Sequence, residues 1–169
     1  RQHAPCRRHS AIVEDEPTFH TALKEFISAT TDFECVGAFT SAEEALAVIP
    51  IKTQPNIILC DINLPGKSGI EATKILKNFL PNSDIMMVTT QEDDQSVFDA
   101  LQNGATGYVL KTTSLKEIGE HIRLLSKGGA PMSPSIARRV IRSFTSLEPI
   151  IHKDSENNLS TREQDVLRL

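Results

Sequence analysis

Short apolar segments alternate along this chain with longer stretches whose apolar residues recur every three or four positions. The short segments are bounded by turn residues, which is typical of β-strands, and several are too continuously apolar for a strand with one wet face. We therefore predict strands that are buried on both faces, at residues 10–13, 34–39, 56–60, 84–89 and 106–110.

The stretches between the strands predict helices, because their apolar residues fall on one face, as Phe19, Leu23 and Ile27 do. Three of these helices are expected to begin at a serine that precedes a glutamate by three positions, the spacing of a capping box: Ser41, Ser68 and Ser114. Alternating strands and helices predict an α/β fold, a doubly wound parallel sheet with helices on both faces. Ligands bind such sheets outside the carboxyl ends of the strands.

The composition, 39% hydrophobic and 24% charged residues, is that of a globular protein, and 169 residues suffice for one domain with a short appendage. The net charge of −4 is uneven, since residues 11–130 carry −8 whereas residues 1–10 and 131–153 each carry +3. A segment with this negative charge is poorly suited to bind nucleic acid, whose backbone is also negative. No apolar run is long enough to cross a bilayer and the first residues lack a secretory signal, so we expect a cytoplasmic protein with no membrane partner.

Chemically active side chains follow four of the predicted strands. Glu14, Asp15 and Glu16 come after the first strand, Asp61 after the third, Thr89 ends the fourth and Lys111 follows the fifth. Carboxylates that meet at one sheet edge repel one another unless a hard divalent cation such as Mg²⁺ or Mn²⁺ draws them together. With the ion present, Asp61 is suited to attack a phosphoryl group, while the Lys111 ammonium and the Thr89 hydroxyl stabilise the transferred charge.

Four motifs carry a family resemblance. In their order and spacing, "IVEDEP", "IILCDINLPGKSGIEA", "MMVTT" and "GYVLK" resemble the receiver domain of two-component response regulators. The resemblance covers residues 10–127. It implies a flavodoxin-like, five-stranded sheet in the order 2-1-3-4-5.

The resemblance implies roles for the residues at the acidic edge. Asp61 is the expected phosphoacceptor. Asp15 and Asp61 are expected to bind Mg²⁺ directly, the backbone carbonyl of Asn63 to supply a further ligand, and Glu14 to be an outer acidic member of the site. A glutamate stands at position 14 where an aspartate is commoner, and its longer side chain is expected to shift the metal or to act through water.

The resemblance also implies a conformational switch. Thr89 and Lys111 are expected to bind the phosphoryl group, and Tyr108 to turn inward as Thr89 is drawn in. Core packing is an equally good interpretation of Tyr108. Asn63 and Gln91 are expected to tune dephosphorylation.

Two further departures from the family pattern affect the expectations. Thr90 stands where a smaller residue is usual, and we expect its side chain to narrow access to the phosphoryl group and so to slow phosphotransfer. Thr112 follows Lys111 in place of proline, and we predict a trans peptide bond there, because a cis bond without proline costs about 2.5 to 4 kcal/mol.

The C-terminal segments "LLSKGGAPMSPSIARRVIRSF" and "LSTREQDVLRL" resemble the linker and the first output helix of the NarL/FixJ group, whose output domain is a LuxR-type helix-turn-helix. We expect a receiver at 10–127, a linker at 128–158 with a short helix near 134–145, and the start of a truncated output domain at 159–169. The resemblance implies a cognate sensor histidine kinase, a phosphorylation-dependent homodimer, and binding of promoter DNA only by the full-length protein.

The linker helix has an apolar stripe at Ile136, Val140 and Phe144. Its arginines are interpreted as a solvated face with no ligand: Arg138, Arg139 and Arg142.

Two other function classes stay open. A phosphorylation-independent receiver-like module would bind partners without using the acidic edge. An aspartate-nucleophile phosphatase of the haloacid-dehalogenase type would place its D-x-D motif after the first strand, whereas Asp61 follows the third and Asn63 stands at the second position. We predict no enzyme beyond self-catalysed phosphotransfer and autodephosphorylation.

Overall fold

A computed structural model describes residues 6–146. Its five strands form one parallel sheet in the order β2-β1-β3-β4-β5, as predicted. The strands are β1 (Arg8–Val13), β2 (Phe33–Phe39), β3 (Ile57–Cys60), β4 (Asp84–Thr89) and β5 (Gly107–Leu110).

Six helices flank the sheet: α1 (Pro17–Ala29), α2 (Ala42–Val48), α3 (Gly69–Phe79), α4 (Asp94–Gln102), α5 (Leu115–Ser126) and α6 (134–146). The predicted serine caps are present, because each side chain accepts the backbone N–H of the glutamate three positions on. The reciprocal half of the box, a bond from the serine N–H to the glutamate carboxylate, is formed at none of these three helices within residues 6–146, and at α2 Glu44 accepts the N–H of Thr40 instead. A π-helical turn at Ile49–Thr53 extends α2, and Pro50 within it has no N–H for an α-helical bond.

The core lies on both faces of the sheet, as predicted from the apolar strands. Alternate strand residues such as Ile12 and Val109 pack against α1 and α5, while their neighbours Val13 and Tyr108 pack against α2, α3, α4 and α6. Because both faces are covered, side chains that stay polar near the sheet are concentrated at its ends.

The segment that follows α5 closes the free edge of β5. The carbonyl of Pro131 accepts the N–H of Tyr108, and the N–H of Ser133 donates to the carbonyl of Tyr108, at 2.9 and 3.1 Å. The Ser133 hydroxyl accepts the buried N–H of Leu110 at 3.0 Å. These bonds satisfy backbone groups that an edge strand otherwise leaves open.

Helix α6 confirms the predicted linker helix, but its side chains divide differently from the prediction. Ile136 is fully buried and Val140 packs on the core, whereas Phe144 is exposed. Arg139, predicted to lie on the solvated face, is partly exposed, and its Nη1 donates to the exposed Asp94 Oδ1 at 3.0 Å. The acidic first turn of α4 attracts it across the helix contact.

The predicted trans bond after Lys111 is confirmed, since residues 6–146 contain no cis peptide bond. The expected linker residues 147–158 and the expected output start 159–169 lie outside the described residues. Within the described part of the chain, no helix has the length and apolar character that crossing a membrane requires.

Candidate functional site

Three carboxylates converge at the carboxyl end of the sheet. Glu14 and Asp15 leave β1 and Asp61 leaves β3, and one oxygen of each lies within 4.8 Å of the others. Glu14 and Asp61 are only 2% and 3% exposed, whereas Asp15 is open to solvent. The parallel topology is what brings together residues that are far apart in the sequence.

Lys111 bridges the two buried carboxylates. Its ammonium nitrogen lies 2.8 Å from Glu14 Oε1 and 2.9 Å from Asp61 Oδ2. Burial alone would lower the pKa of Lys111, but the hydrogen bonds to Glu14 and Asp61 outweigh it and raise the pKa. The lysine is therefore a fixed positive charge, and its position 5.1 Å from the centre of the Phe19 ring adds a cation–π contact.

The pKa of Glu14 is perturbed by its surroundings. Burial raises its pKa, and the hydrogen bonds from Lys111 and from the backbone N–H of Glu16 oppose this rise without cancelling it. Its backbone carbonyl accepts the Nδ1–H of His20 at 2.8 Å. His20 was not among the predicted site residues, because only the first turn of α1 brings it beside β1.

Glu16, the third acid after β1, is not part of the cluster. Its carboxylate accepts the N–H groups of Thr18 and Phe19 and caps α1. These backbone bonds lower the pKa of Glu16.

The loop after β3 holds Asp61 in place. The N–H of Asn63 donates to Asp61 Oδ1 at 3.3 Å, and the N–H of Gly69 donates to the Ile62 carbonyl at 2.9 Å. A Cβ at position 69 would stand 1.8 Å from the Asp61 carbonyl oxygen, so only glycine permits this approach of α3. The motif "GKSGIEA" contains this glycine. The need for glycine at position 69 comes from the geometry of the loop, which the sequence pattern does not specify.

Gln91 connects the predicted switch residues. Its N–H donates to Thr89 Oγ1 at 3.3 Å, its carbonyl accepts the Tyr108 hydroxyl at 2.8 Å, and its side-chain amide donates to Asn63 Oδ1 at 3.1 Å. Thr89 and Tyr108 are fully buried, so the tyrosine already lies inside. Burial raises the pKa of Tyr108, which keeps its hydroxyl protonated as the donor.

The residues present fit a divalent cation. With all three carboxylates ionised, Lys111 balances one of three negative charges and leaves an excess of two, beside the exposed Asp15. Carboxylate oxygens are the ligands that Mg²⁺ and Mn²⁺ favour. Asp15 and Asp61 would hold such an ion with Glu14 beside them as an outer acidic residue, and the Asn63 carbonyl stays a predicted ligand.

Comparison with known proteins gives consistent results. A family profile described as "Response regulator receiver domain" matches residues 11–123. The uncharacterized transcriptional regulatory protein YxjL of Bacillus subtilis (strain 168) is 30% identical over 159 residues, which are 94% of this chain and 72% of that protein. The response regulator protein VraR of Staphylococcus aureus is 33% identical over 125 residues, 74% of this chain and 59% of VraR.

A crystal structure of a LuxR-family two-component response regulator from Aurantimonas sp. SI85-9A1 is similar to this chain, with a TM-score of 0.76 and 27% identity. The match covers 82% of this chain and 99% of that one. Relatives such as VraR are longer, and this chain spans less than two thirds of the VraR sequence.

Proposed function

The chain belongs to the response regulator receiver domain family, with LuxR-type regulators among its relatives, and on that premise we propose that Asp61 accepts a phosphoryl group from a sensor histidine kinase. The observation that carries this proposal is the shared ammonium of Lys111, 2.9 Å from Asp61 and 2.8 Å from Glu14. It provides a fixed positive charge where a phosphoryl group on Asp61 would add negative charge.

The proposed reaction is a substitution at phosphorus. An Asp61 carboxylate oxygen forms the new O–P bond while the P–N bond of the kinase phosphohistidine breaks, and the departing imidazole takes up a proton. Lys111 stabilises the developing charge on the phosphoryl oxygens. A bound Mg²⁺ or Mn²⁺ would neutralise further charge on those oxygens. Water attack on the acyl phosphate would return Asp61 and release inorganic phosphate.

We assign the metal to Asp15, Asp61 and the Asn63 carbonyl, with Glu14 as an outer acidic residue. Asp15 is the exposed acid of the cluster, so it is accessible to an arriving ion. Glu14 already accepts bonds from Lys111 and from the N–H of Glu16, which leaves it less free to rearrange.

We propose that phosphorylation acts through Gln91. A phosphoryl group on Asp61 attracts the Thr89 hydroxyl, and the Thr89 oxygen is also the acceptor for the Gln91 N–H. Because the Gln91 carbonyl holds the Tyr108 hydroxyl, a displacement of Thr89 is transmitted to β5. Tyr108 is already inside, so phosphorylation stabilises this arrangement and does not create it.

The amide pair between Gln91 and Asn63 suggests how dephosphorylation is tuned. Asn63 is two residues from Asp61, and its side chain is tied to Gln91 at 3.1 Å. We propose that this pair limits the approach of water to an acyl phosphate on Asp61.

At the level of the whole protein, we propose transcription control by a LuxR-type output domain, with a phosphorylation-dependent homodimer that binds promoter DNA. The relatives named as transcriptional regulators support this proposal. The proposed organisation is a receiver at 10–127, a linker at 128–158 and an output start at 159–169.

The direct test replaces the phosphoacceptor. Asp61→Asn should abolish incorporation of a phosphoryl group from acetyl phosphate with Mg²⁺, measured by intact mass and by loss of the label in hydroxylamine. Asp99→Asn, a carboxylate of α4 that pairs with Gln95, is the matched control and should label normally. Undiminished labelling of Asp61→Asn would remove Asp61 from its proposed role.

A further inference from the structure

Phe19 brings an aromatic ring to the acidic edge of the sheet. It lies in the first turn of α1, is half-buried, and packs against the core cluster that contains Ile12 and Val109. The carboxylate of Glu16 accepts its backbone N–H at 2.6 Å, so the cap of the helix fixes the position of the residue. The centre of its ring lies 5.1 Å from the Lys111 ammonium nitrogen. The ring is therefore held beside the cation of the site.

The ring and the ammonium attract each other. The face of an aromatic ring carries partial negative charge, and its attraction for a cation grows as water is excluded. The side chain of Lys111 is only 16% exposed, so little water competes with the ring. Lysine carries its charge on a flexible four-carbon stem, and a contact with the ring face restricts where that charge lies.

Phosphorylation of Asp61 would change one of the contacts of Lys111. As an acyl phosphate, Asp61 no longer presents a charged carboxylate to the ammonium that now lies 2.9 Å away, and the negative charge moves out to the phosphoryl oxygens. The bond to Glu14, at 2.8 Å, draws the ammonium back toward β1. The Phe19 ring attracts the ammonium without a directional hydrogen bond, so this contact tolerates a small shift toward the phosphoryl group.

We infer that Phe19 is a positioning residue, whose ring holds the Lys111 ammonium where it stabilises phosphoryl transfer to Asp61. The inference rests on the proposed function, and Phe19 acts through Lys111 and not on the reacting atoms. With acetyl phosphate as donor, an Asp61 oxygen forms the new O–P bond, the O–P bond of the donor breaks, and acetate leaves with the bonding electrons. A cation already in place stabilises the charge on the phosphoryl oxygens in the transition state, so weakening the ring's attraction should slow this step.

Fluorination of the ring tests its charge at nearly constant size. Phenylalanine with one, two or three ring fluorines at position 19 keeps the shape of the side chain, while each fluorine withdraws electron density from the ring face. The rate constant for labelling of the 169-residue chain is followed by intact mass, with acetyl phosphate and saturating Mg²⁺. We expect this rate constant to fall with each added fluorine, by about fivefold at the third, which is the size of a partly desolvated cation–π contact.

Phe26 is the matched control. It lies two turns further along α1, is also half-buried, and packs on the same core cluster. Within residues 6–146, the rings that have a cation over them are those of Phe19 and Phe33, so the same fluorinated residues at position 26 should leave the rate constant unchanged. Phe19→Tyr keeps the ring and should label at close to the wild-type rate. Phe19→Leu keeps apolar bulk without the ring and should be at least as slow as the trifluorinated protein.

Circular dichroism of every sample checks folding. If the wild type takes up label, a flat or rising fluorine series at position 19, or an equal fall at positions 19 and 26, overturns the inference and leaves the proposed function intact. Slow labelling of Phe19→Leu beside a flat series also overturns it, because the effect then comes from packing and not from the charge of the ring. A wild type that takes up no label contradicts the proposed function itself, and the inference falls with it.

Discussion

Replacing Lys111 by methionine isolates the electrostatic role of the lysine. Methionine keeps much of the side-chain volume and removes the ammonium that lies 2.8 Å from Glu14 and 2.9 Å from Asp61. The two carboxylates, 2% and 3% exposed, are then buried together without a counter-charge. Breaking a buried pair in this way typically costs about 3 to 5 kcal/mol.

The carboxylates can limit this loss by binding a proton. Burial already raises the pKa of Glu14 from its ordinary value of 4.5, so Glu14 is suited to bind this proton. Protonating a group whose unfolded pKa is 4.5 costs about 3 kcal/mol at pH 7 and about 1 kcal/mol at pH 5.5. Protonation therefore limits the share of the loss that comes from the charge of Glu14 to about these amounts, so Lys111→Met should be less destabilising at pH 5.5 than at pH 7.

The sign of the pH dependence follows from proton binding. The folded variant holds a proton on Glu14 that the unfolded chain has lost above pH 4.5, so its free energy of unfolding falls as pH rises. Urea unfolding without Mg²⁺ at pH 5.5 and pH 7 measures this slope. Lys74→Met, an exposed lysine of α3, is the control and should change little at either pH.

The reasoning fails if Lys111→Met is no less stable than Lys74→Met. It also fails if Lys111→Met loses the same free energy of unfolding at both pH values. The double variant Lys111→Met/Glu14→Gln adds a second check. Removing the charge of Glu14 leaves one buried carboxylate, so most of the lost stability should return and the slope with pH should flatten.

Three further expectations concern the same site. Mg²⁺ at one hundred times its Kd should add about 2.7 kcal/mol to the free energy of unfolding of the wild type, which thermal unfolding detects as a higher melting temperature. Asp15→Asn should remove most of that rise in melting temperature. Gly69→Ala should lower the free energy of unfolding by more than about 2 kcal/mol in urea, because its Cβ would meet the Asp61 carbonyl at 1.8 Å; a neutral result would contradict the close approach. Tyr108→Phe should cost about 1 kcal/mol through the lost bond to Gln91, yet still accept a phosphoryl label by intact mass, and loss of labelling would show a direct role of the hydroxyl.

The fold was predictable because the relevant signals are local. Continuous apolar runs identified strands buried on both faces, and the serine caps at Ser41, Ser68 and Ser114 marked three helix starts correctly. The convergence of the acids follows from topology, since parallel strands deliver their carboxyl ends to one edge. The π-helical turn at Ile49–Thr53 was not predictable, because no periodicity distinguishes it from a continued α-helix.

The parts that sequence analysis missed depend on contacts between distant segments. Glu16 looks like a third member of the acidic group, but its position before Pro17 makes it the cap of α1. The ion pair of Arg139 with Asp94 was not predicted, because it depends on α6 lying beside α4. Gln91 was noted only in connection with dephosphorylation, whereas its backbone joins Thr89 to Tyr108, and main-chain bonds leave no mark in the residue pattern.

The charge balance explains why a phosphoryl group on Asp61 would have effects beyond that residue. One ammonium serves two buried carboxylates, so Lys111 cannot move toward new negative charge without weakening its bond to Glu14. Glu14 then loses the contact that opposes its desolvation, and a bound cation becomes more favourable at the same edge. On the proposed function, cation binding and phosphorylation therefore favour each other, and by thermodynamic reciprocity each strengthens the other by the same factor.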